Sequence, residues 1–251
     1  MTTPYLSVIV PSYDEMANLR KGVLERIKNF LEKQKFAYEV IVVDDGSKDG
    51  SIGFVEAFVK ENKHFSLMQN KHLGKAGAVT AGRLTAKGEY ILFTDMDQAT
   101  PIEETANLLK QFRNGFDVVI GSRTVRNGSP WSRKIVSMGL IICRKFIVGL
   151  PEIRDTNCGF KMFSQKACKD IFQKIYDIHH GFSQISGSAV KAGFDVELLL
   201  IAEKMGYKIK EVPVEWLYVE SRRVSPIWDS LDGFKELLRI RLNDVSGKYS
   251  V

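Results

Sequence analysis

The chain has 251 residues, of which 44% are hydrophobic and 26% charged, so it contains enough apolar material for one sizeable core. Its 36 lysines and arginines exceed its 30 acidic residues by six, which favours a phosphate-bearing partner or an anionic membrane surface. This composition excludes a mainly disordered chain, and three cysteines without paired spacing exclude a zinc finger or a disulfide framework.

Short apolar strands alternate with amphipathic helices over the first half of the chain. The predicted strands cover 6–10, 40–43, 65–68, 90–94 and 118–121, and the predicted helices cover 18–31, 54–59, 76–86 and 102–112. Continuous apolar strands between amphipathic helices indicate an α/β fold with a mostly parallel sheet that is covered on both faces.

The pattern is less regular after residue 121. We predict a helix over 196–205, a strand over 208–219 that Pro213 interrupts, and a terminal amphipathic helix over 227–242. We find no repeat, no linker, no export signal and no run of about 20 apolar residues that could span a membrane. The chain is therefore expected to form a single domain over 1–251 in a reducing, cytosolic compartment.

Polar residues follow each predicted strand of the first half. Ligands of open α/β sheets bind beyond the carboxyl ends of the strands, so these residues are candidates for a binding site. Those that we single out are Pro11, Tyr13, Glu15, Asp44, Asp45, Lys75, Asp95, Asp97, Gln98 and Arg123.

Asp95 and Asp97 follow the fourth strand with one residue between them. Both carboxylates can face a divalent cation, while substrate phosphates supply further oxygen ligands. Such a cation would neutralise the charge that builds up on a departing diphosphate. Two acidic residues also suit the start of a helix, where they face its positive dipole end, and both interpretations stay open on this motif alone.

Two glycine-containing loops carry further candidate ligands. The carboxylates of the segment 44–47 (DDGS) can accept hydrogen bonds from a base and a ribose, although an Asx-type turn over Asp45 and Gly46 is an alternative interpretation. The segment 74–77 (GKAG) opens a helix and can hold phosphate on backbone amides. It lacks the spacing of a P-loop, and no Gly-x-Gly-x-x-Gly follows the first strand, so NTPase and NAD-binding functions are disfavoured.

Several segments together resemble a known family. The sequences at 8–15 (VIVPSYDE), 42–50 (VVDDGSKDG) and 95–97 (DMD) are similar to those of family 2 glycosyltransferases. Further segments, 155–161 (DTNCGFK) and 211–216 (EVPVEW), resemble the dolichyl-phosphate glucosyltransferase and mannosyltransferase branch, and the glucosyl type more closely. The resemblance implies a single domain of GT-A, Rossmann-like fold. Residues 1–121 would form its nucleotide-sugar-binding half, and 122–251 its acceptor-binding, membrane-facing half.

The residues and the resemblance together assign a role to each candidate position. Nucleotide-sugar binding is expected of Pro11, Tyr13, Glu15, Asp44, Asp45, Lys75, Asp95 and Arg222. The acceptor phosphate would lie on Arg123, Arg133 and Ser137. Mg²⁺ or Mn²⁺ would be bound by Asp95, Asp97 and Gln98, and Asp95, Asp97 and Arg123 would be the catalytic residues.

The resemblance implies an inverting hexosyltransferase, which moves glucose from UDP-glucose to a polyprenyl or dolichyl phosphate. Alternatives are a GDP-mannose-dependent polyprenyl-phosphate mannosyltransferase and a family 2 enzyme acting on a soluble glycan. The last needs a base, for which Asp195 is a candidate, although Asp195 is better explained as the N-cap of the helix over 196–205. Other classes that we consider are a sugar nucleotidyltransferase and a membrane-bound scaffold without activity.

The stretch 132–151 carries more apolar residues than one narrow helix face can hold, punctuated by Arg133, Lys134, Arg144 and Lys145. This pattern favours a helix in the membrane interface with its cations on lipid headgroups, and a buried core or dimer helix is the alternative. We therefore expect a peripheral enzyme on the cytoplasmic face of an anionic membrane. No nucleic-acid partner is expected, and the oligomeric state is left open.

Overall fold

Apolar strand segments of the chain form one central sheet. The computed structural model describes residues 3–123, 144–180, 182, 193–217 and 226–250. Within them the strands are β1 Leu6–Ser12, β2 Tyr38–Asp44, β3 Phe65–Gln69, β4 Tyr90–Phe93, β5 Val118–Ser122, β6 Lys161–Ser164 and β7 Ile209–Pro213. Their order in the sheet is β3-β2-β1-β4-β6-β5-β7. All are parallel except β6, which pairs antiparallel with β4 and β5, so the predicted mostly parallel sheet is confirmed.

Helices connect the strands and cover the sheet. They are α1 Met16–Leu19, α2 Val23–Glu32, α3 Ser51–Glu61, α4 Gly74–Thr85, α5 Thr105–Phe112, α6 Gln165–His179, α7 Phe194–Lys204 and α8 Pro226–Val245, with a 3₁₀ turn at Ile102–Glu104. The single helix predicted over 18–31 is two helices, because Gly22 adopts a left-handed conformation with φ 79°. Within the described residues, every helix is too short or too polar to cross a lipid bilayer.

Two elements were not predicted. Strand β6 is only four residues long and inserts between β4 and β5, so the two predicted halves of the chain share one sheet. Helix α6 follows at once, and Ser164 caps it by accepting a hydrogen bond from the backbone N–H of Ala167. Its buried positions recur at helical spacing: Ala167, Cys168, Ile171, Phe172 and Ile175.

The core lies on both faces of the sheet, because successive side chains of each strand point to opposite sides. Val8 packs in one cluster with α2, α3 and α5, and Ile9 packs in the other with α4, α6 and α7. Helix α4 approaches the sheet closely, since a Cβ on Gly82 would collide with the side chains of Ile9 and Val43. This close approach sets the position of Lys75 at the start of α4.

Candidate active site

The carboxyl ends of the parallel strands meet at one edge of the sheet. Ser12 and Asp44 are partners in register, and the backbone N–H of Asp45 donates to the carbonyl of Ser12 at 2.8 Å. Asn70 donates in the same way to the carbonyl of Asp44, and Thr94 to that of Ile9. The loops after β1, β2, β3 and β4 are therefore neighbours, as the strand order predicts.

The carboxylate of Asp44 shapes the loop that follows β2. It is fully buried, and its Oδ1 accepts hydrogen bonds from the backbone N–H groups of Gly46 and Ser47, both at 2.9 Å. Its Oδ2 accepts from the Ser47 hydroxyl at 2.6 Å. An Asx turn with a left-handed Gly46 (φ 90°) is thus present, but it is built on Asp44 and not on Asp45 as predicted. Direct contact between Asp44 and a nucleotide stays a prediction.

Asp45 ties the same loop to the start of α4. Its Oδ1 accepts from the backbone N–H of Leu73 at 2.8 Å, and its Oδ2 accepts from that of Gly74 at 2.7 Å. Nδ1 of His72 lies 3.1 Å from Oδ2 of Asp45. Asp45 therefore satisfies N–H groups at the helix N-terminus, where a negative charge also suits the helix dipole. Its predicted contact with the nucleotide sugar is untested.

The loop after β1 lies beside these two loops. The Tyr13 ring stacks on the His72 ring with centroids 4.3 Å apart, and the backbone N–H of Lys48 donates to Oδ1 of Asp14 at 2.7 Å. Pro11, Tyr13 and Glu15 are partly exposed at this edge. The structure thus brings these three predicted nucleotide-binding residues to the loops that carry Asp44 and Asp45.

The acidic pair lies beside Lys75. Nζ of Lys75 is 2.5 Å from Oδ1 of Asp95. Burial lowers the pKa of Lys75, but the carboxylates of Asp95, Asp195 and Asp97 outweigh burial, and its pKa is raised. Burial raises the pKa of Asp97, and the like charge of Asp95 raises it further. A divalent cation bound between these two carboxylates would offset the repulsion between their negative charges.

Gly159 forms one wall around Asp95. A Cβ at this position would overlap the Asp95 carboxylate, so the segment before β6 can approach the acidic pair only with glycine there. Sequence reasoning assigned Gly159 no role, although it lies in the segment 155–161 that carried the family resemblance. Such a close approach depends on the tertiary fold and has no local signal.

Gln98, the third predicted metal ligand, is almost fully buried in the loop after Asp97 and has a left-handed backbone with φ 50°. Its Nε2 donates to the Thr94 hydroxyl at 3.1 Å and to the Asp95 carbonyl at 3.0 Å. Gln98 thereby supports the loop that presents Asp95, and its role as a metal ligand stays a prediction. Across the described residues, no three His, Cys, Asp or Glu side chains cluster as metal ligands.

Arg123, at the end of β5, forms a bidentate ion pair with Asp155. Its Nε and Nη2 lie 2.6 and 2.7 Å from the two carboxylate oxygens, and its guanidinium stands 5.8 Å from the Trp216 ring centroid. Burial lowers the pKa of Arg123, but Asp155, and to a lesser extent Asp95, raise it above its usual value. That Arg123 and the acidic pair belong to the same site stays a prediction.

The structure corrects the prediction for Asp195. Helix α7 begins at Phe194 with Gly193 at its N-cap, so Asp195 is in the first turn and does not cap the helix. Its Oδ1 accepts from Nζ of Lys161 at 2.6 Å, and the Lys161 side chain is fully buried within β6. A set of alternating charges thus extends from the edge of the sheet into the core. Its members are Asp95, Lys75, Asp195 and Lys161.

Arg144 does not face lipid headgroups as predicted. It is 4% exposed, and its guanidinium donates to the Thr156 hydroxyl and to the carbonyls of Ile153 and Arg154. Burial lowers its pKa. It therefore braces the segment that carries Asp155, because a buried guanidinium needs hydrogen-bond acceptors.

Three further predicted site residues, Arg133, Ser137 and Arg222, lie outside the described residues. Most of the proposed membrane-facing stretch 132–151 does so as well. Among the described residues of this half of the chain, His179 at the end of α6 has its Nε2 2.8 Å from the buried carboxylate of Glu197. The division of the chain into a nucleotide-sugar half and an acceptor half stays a prediction.

A Rossmann-like sheet with an acidic pair at its carboxyl edge is the architecture of the GT-A glycosyltransferases. The sequence profile described as Glycosyl transferase family 2 matches residues 7–172, and the chain belongs to this family. This finding confirms the family that the motifs indicated.

Two curated relatives carry the name dolichyl-phosphate β-glucosyltransferase. The one from Dictyostelium discoideum is 31% identical over 98% of this chain and 77% of the relative, and the one from Homo sapiens is 33% identical over 98% and 78%. Among solved structures, mannosyl-3-phosphoglycerate synthase from Rubrobacter xylanophilus superimposes with a TM-score of 0.66 at 16% identity, covering 97% of this chain and 75% of that one. At this identity the likeness supports the fold alone.

Proposed function

We propose that this protein transfers a glucosyl group from a nucleotide sugar, UDP-glucose in the first instance, to dolichyl phosphate or another polyprenyl phosphate. The observation that carries the proposal is the position of Asp95 between Lys75 and Gly159 at the carboxyl edge of the sheet, within electrostatic reach of Arg123. Identity of about one third to dolichyl-phosphate β-glucosyltransferases supports the choice of sugar and acceptor. GDP-mannose is the alternative donor.

On this proposal, Asp95 and Asp97 would hold Mg²⁺ or Mn²⁺, whose charge would stabilise the departing nucleoside diphosphate. The loops that carry Tyr13 and Asp44 would bind the nucleotide at the adjacent end of the sheet. Lys75 supplies a second cation next to the acidic pair and is already held there by Asp95.

The acceptor needs positioning more than a base. A polyprenyl monophosphate is largely ionised near neutral pH, because the second pKa of such a group is about 6. Arg123 would bind it through charge-assisted hydrogen bonds, with Asp155 fixing the orientation of the guanidinium. Direct displacement at the anomeric carbon would invert its configuration.

The pairing of Asp195 favours a phosphate acceptor over a soluble glycan hydroxyl. A hydroxyl acceptor needs a free general base, whereas Asp195 is bonded to the buried ammonium of Lys161. A lipid acceptor places the reaction at a membrane surface, so we propose peripheral association with the cytoplasmic face. The net charge of +6 supports attraction to anionic lipid there.

The test combines purified protein with UDP-glucose or GDP-mannose, Mg²⁺ or Mn²⁺, and a short polyprenyl phosphate in detergent. We expect release of nucleoside diphosphate together with a glycosylated lipid phosphate, and a loss of at least about a hundredfold in Asp97→Asn. Glu61→Gln, which alters an exposed carboxylate on α3, is the matched control and should retain full activity. No product from either donor in the unaltered protein would refute the proposal.

A further inference from the structure

The carboxylate of Glu211, on β7, holds the backbone at Asp155, the ion-pair partner of Arg123. Its Oε1 accepts a hydrogen bond from the backbone N–H of Asp155 at 2.7 Å, and its Oε2 accepts one from that of Arg154 at 2.9 Å. Hydrogen bonds to a charged acceptor are stronger than those to a neutral one. Glu211 therefore fixes the backbone of Asp155 relative to the sheet.

Asp155 in turn holds Arg123 through three hydrogen bonds. The backbone N–H and Nε of Arg123 donate to Oδ2 of Asp155 at 3.0 and 2.6 Å, and Nη2 donates to Oδ1 at 2.7 Å. One buried carboxylate thus contacts both the backbone and the guanidinium of Arg123. The direction in which this guanidinium points depends on where Asp155 lies.

The sheet fixes the distance between Glu211 and Arg123. Strand β7 pairs parallel with β5, and Glu211 is the register partner of Ile120, which is fully buried and precedes Arg123 by three residues. The contacts from Glu211 through Asp155 to Arg123 therefore begin and end on two neighbouring strands. Such an arrangement can hold a side chain rigidly.

Arg144 holds the carbonyl groups of the same segment. Its guanidinium donates to the carbonyls of Ile153 and Arg154 and to the Thr156 hydroxyl. Because Arg144 is 4% exposed, its removal would leave buried acceptors unpaired and destabilise the fold. Glu211 is half-buried, and its bond from Arg154 is exposed, so water can replace its carboxylate. Removing Glu211 should therefore loosen the segment without unfolding the chain.

The end of the segment that contacts the acidic pair has an attachment of its own. Gly159 lies against the Asp95 carboxylate, and the next residue, Phe160, accepts a hydrogen bond at its carbonyl from the backbone N–H of Gly121 at 2.8 Å. A change at Glu211 should therefore leave the acidic pair in place.

We infer that Glu211 is a positioning residue for Arg123 and acts through Asp155. The contacts among these three residues are independent of the reaction, whereas the consequence for the acceptor rests on the proposed function, in which Arg123 binds the lipid phosphate. A guanidinium binds phosphate well when its planar set of N–H groups is aimed at the oxygens. Glu211 would thus raise the affinity for the acceptor without touching it.

Steady-state kinetics in detergent, with the nucleotide sugar and a short polyprenyl phosphate, test this consequence. In Glu211→Ala we expect the KM for the lipid phosphate to rise at least about tenfold, because Arg123 is misplaced, and the KM for the nucleotide sugar to stay unchanged. Glu211→Gln keeps one acceptor oxygen and should give an intermediate value. Glu152→Ala removes an exposed carboxylate of the preceding loop and should match the unaltered protein. If both KM values rise together and thermal stability falls, the role of Glu211 is merely structural and the inference is overturned.

The NMR signal of the Arg123 Nε–H group gives a second measurement, which requires no transfer. This proton lies in a 2.6 Å hydrogen bond to Asp155, so it should exchange slowly with water, and its absence from the spectrum of Arg123→Lys assigns it. We expect exchange to be at least about tenfold faster in Glu211→Ala and unchanged in Glu152→Ala. An unchanged rate in Glu211→Ala would overturn the inference.

The two measurements separate this inference from the proposed function. If the unaltered protein shows no transfer while exchange at Arg123 still responds to Glu211→Ala, the proposed function fails and the positioning role stands. If exchange responds and transfer is normal but the KM for the lipid phosphate does not change, the positioning role stands and the acceptor role of Arg123 is refuted.

Discussion

Nζ of Lys75 lies 2.5 Å from Oδ1 of Asp95, so the first carboxylate of the acidic pair already has a counter-ion within the chain. Asp97 and Asp195 also contribute to the raised pKa of this lysine, which keeps it charged. A divalent cation binding to Asp95 would compete with the ammonium group for the same oxygen. Lys75 and the metal are therefore expected to oppose one another at Asp95 until a diphosphate brings further negative charge.

Replacing Lys75 with methionine should strengthen metal binding and weaken transfer. Without the ammonium group, Asp95 is free for the cation, and we expect Mn²⁺ alone to bind about tenfold more tightly, as measured by calorimetry on nucleotide-free protein. The rate of transfer should fall at least about tenfold, because a cation next to the diphosphate is lost. Lys71→Met removes an exposed lysine of the preceding loop and should change neither quantity. Weaker Mn²⁺ binding in Lys75→Met would contradict the competition.

Adding a single methyl group at Gly159 should displace Asp95 while leaving the fold intact. The Cβ of alanine would overlap the Asp95 carboxylate, which lies at the end of a side chain that can rotate away. We expect kcat to fall by about a hundredfold, because small displacements of catalytic groups have effects of this size. In the control, Gly53→Ala, the new Cβ meets no atom within 4 Å and activity should be unchanged. Thermal unfolding of both variants checks the fold, and full activity of Gly159→Ala would show that Asp95 is not held in place by this contact.

Removing one partner of the buried pair of Lys161 and Asp195 should destabilise the fold strongly. Removing one partner of a buried ion pair leaves an uncompensated charge and costs about 3–5 kcal/mol. Lys161→Met should therefore lower the free energy of unfolding by this amount in urea, and the double variant Lys161→Met/Asp195→Leu should recover much of it. Lys166→Met, which removes an exposed lysine of α6 with a partner four residues away, should leave stability unchanged. A small effect of Lys161→Met would mean that water reaches the Asp195 carboxylate.

The first half of the sheet could be predicted because each of its strands is a continuous apolar run and each connection is a helix. Strand β6 escaped prediction because it has four residues, one of them the buried Lys161, and its environment comes from β4 and β5 on either side. Helix α6 had a local signal, the cap at Ser164 and the helical spacing after it, which was overlooked. The features of the site likewise divide into those with a local sequence signal and those that depend on the tertiary fold. Asp95 and Asp97 follow a strand directly, whereas their contacts with Gly159 and Lys75 join segments that are distant in sequence.

Three helices and the segment after α8 meet at the carboxylate of Glu197, which is 1% exposed. His179 at the end of α6, Arg239 on α8 and the hydroxyl of Tyr249 all lie within 3.2 Å of it. Burial raises the pKa of Glu197, but the hydrogen bonds from His179 and Tyr249 and the charge of Arg239 outweigh it and lower the pKa to about 2. The cluster thus attaches α8 and the segment after it to α7.

Stability should decline in acid as this carboxylate becomes protonated. A group whose pKa is lower in the folded chain stabilises the fold above its unfolded value, near 4.5, and loses that contribution as the pH falls towards 2. The shift corresponds to about 3 kcal/mol. Glu197→Gln should therefore unfold more easily in urea than the unaltered protein at pH 7, and the difference should shrink between pH 4.5 and pH 2. Glu61→Gln, at an exposed position, should follow the unaltered protein throughout. A difference that stays constant with pH would mean that Glu197 acts through packing and not through its charge.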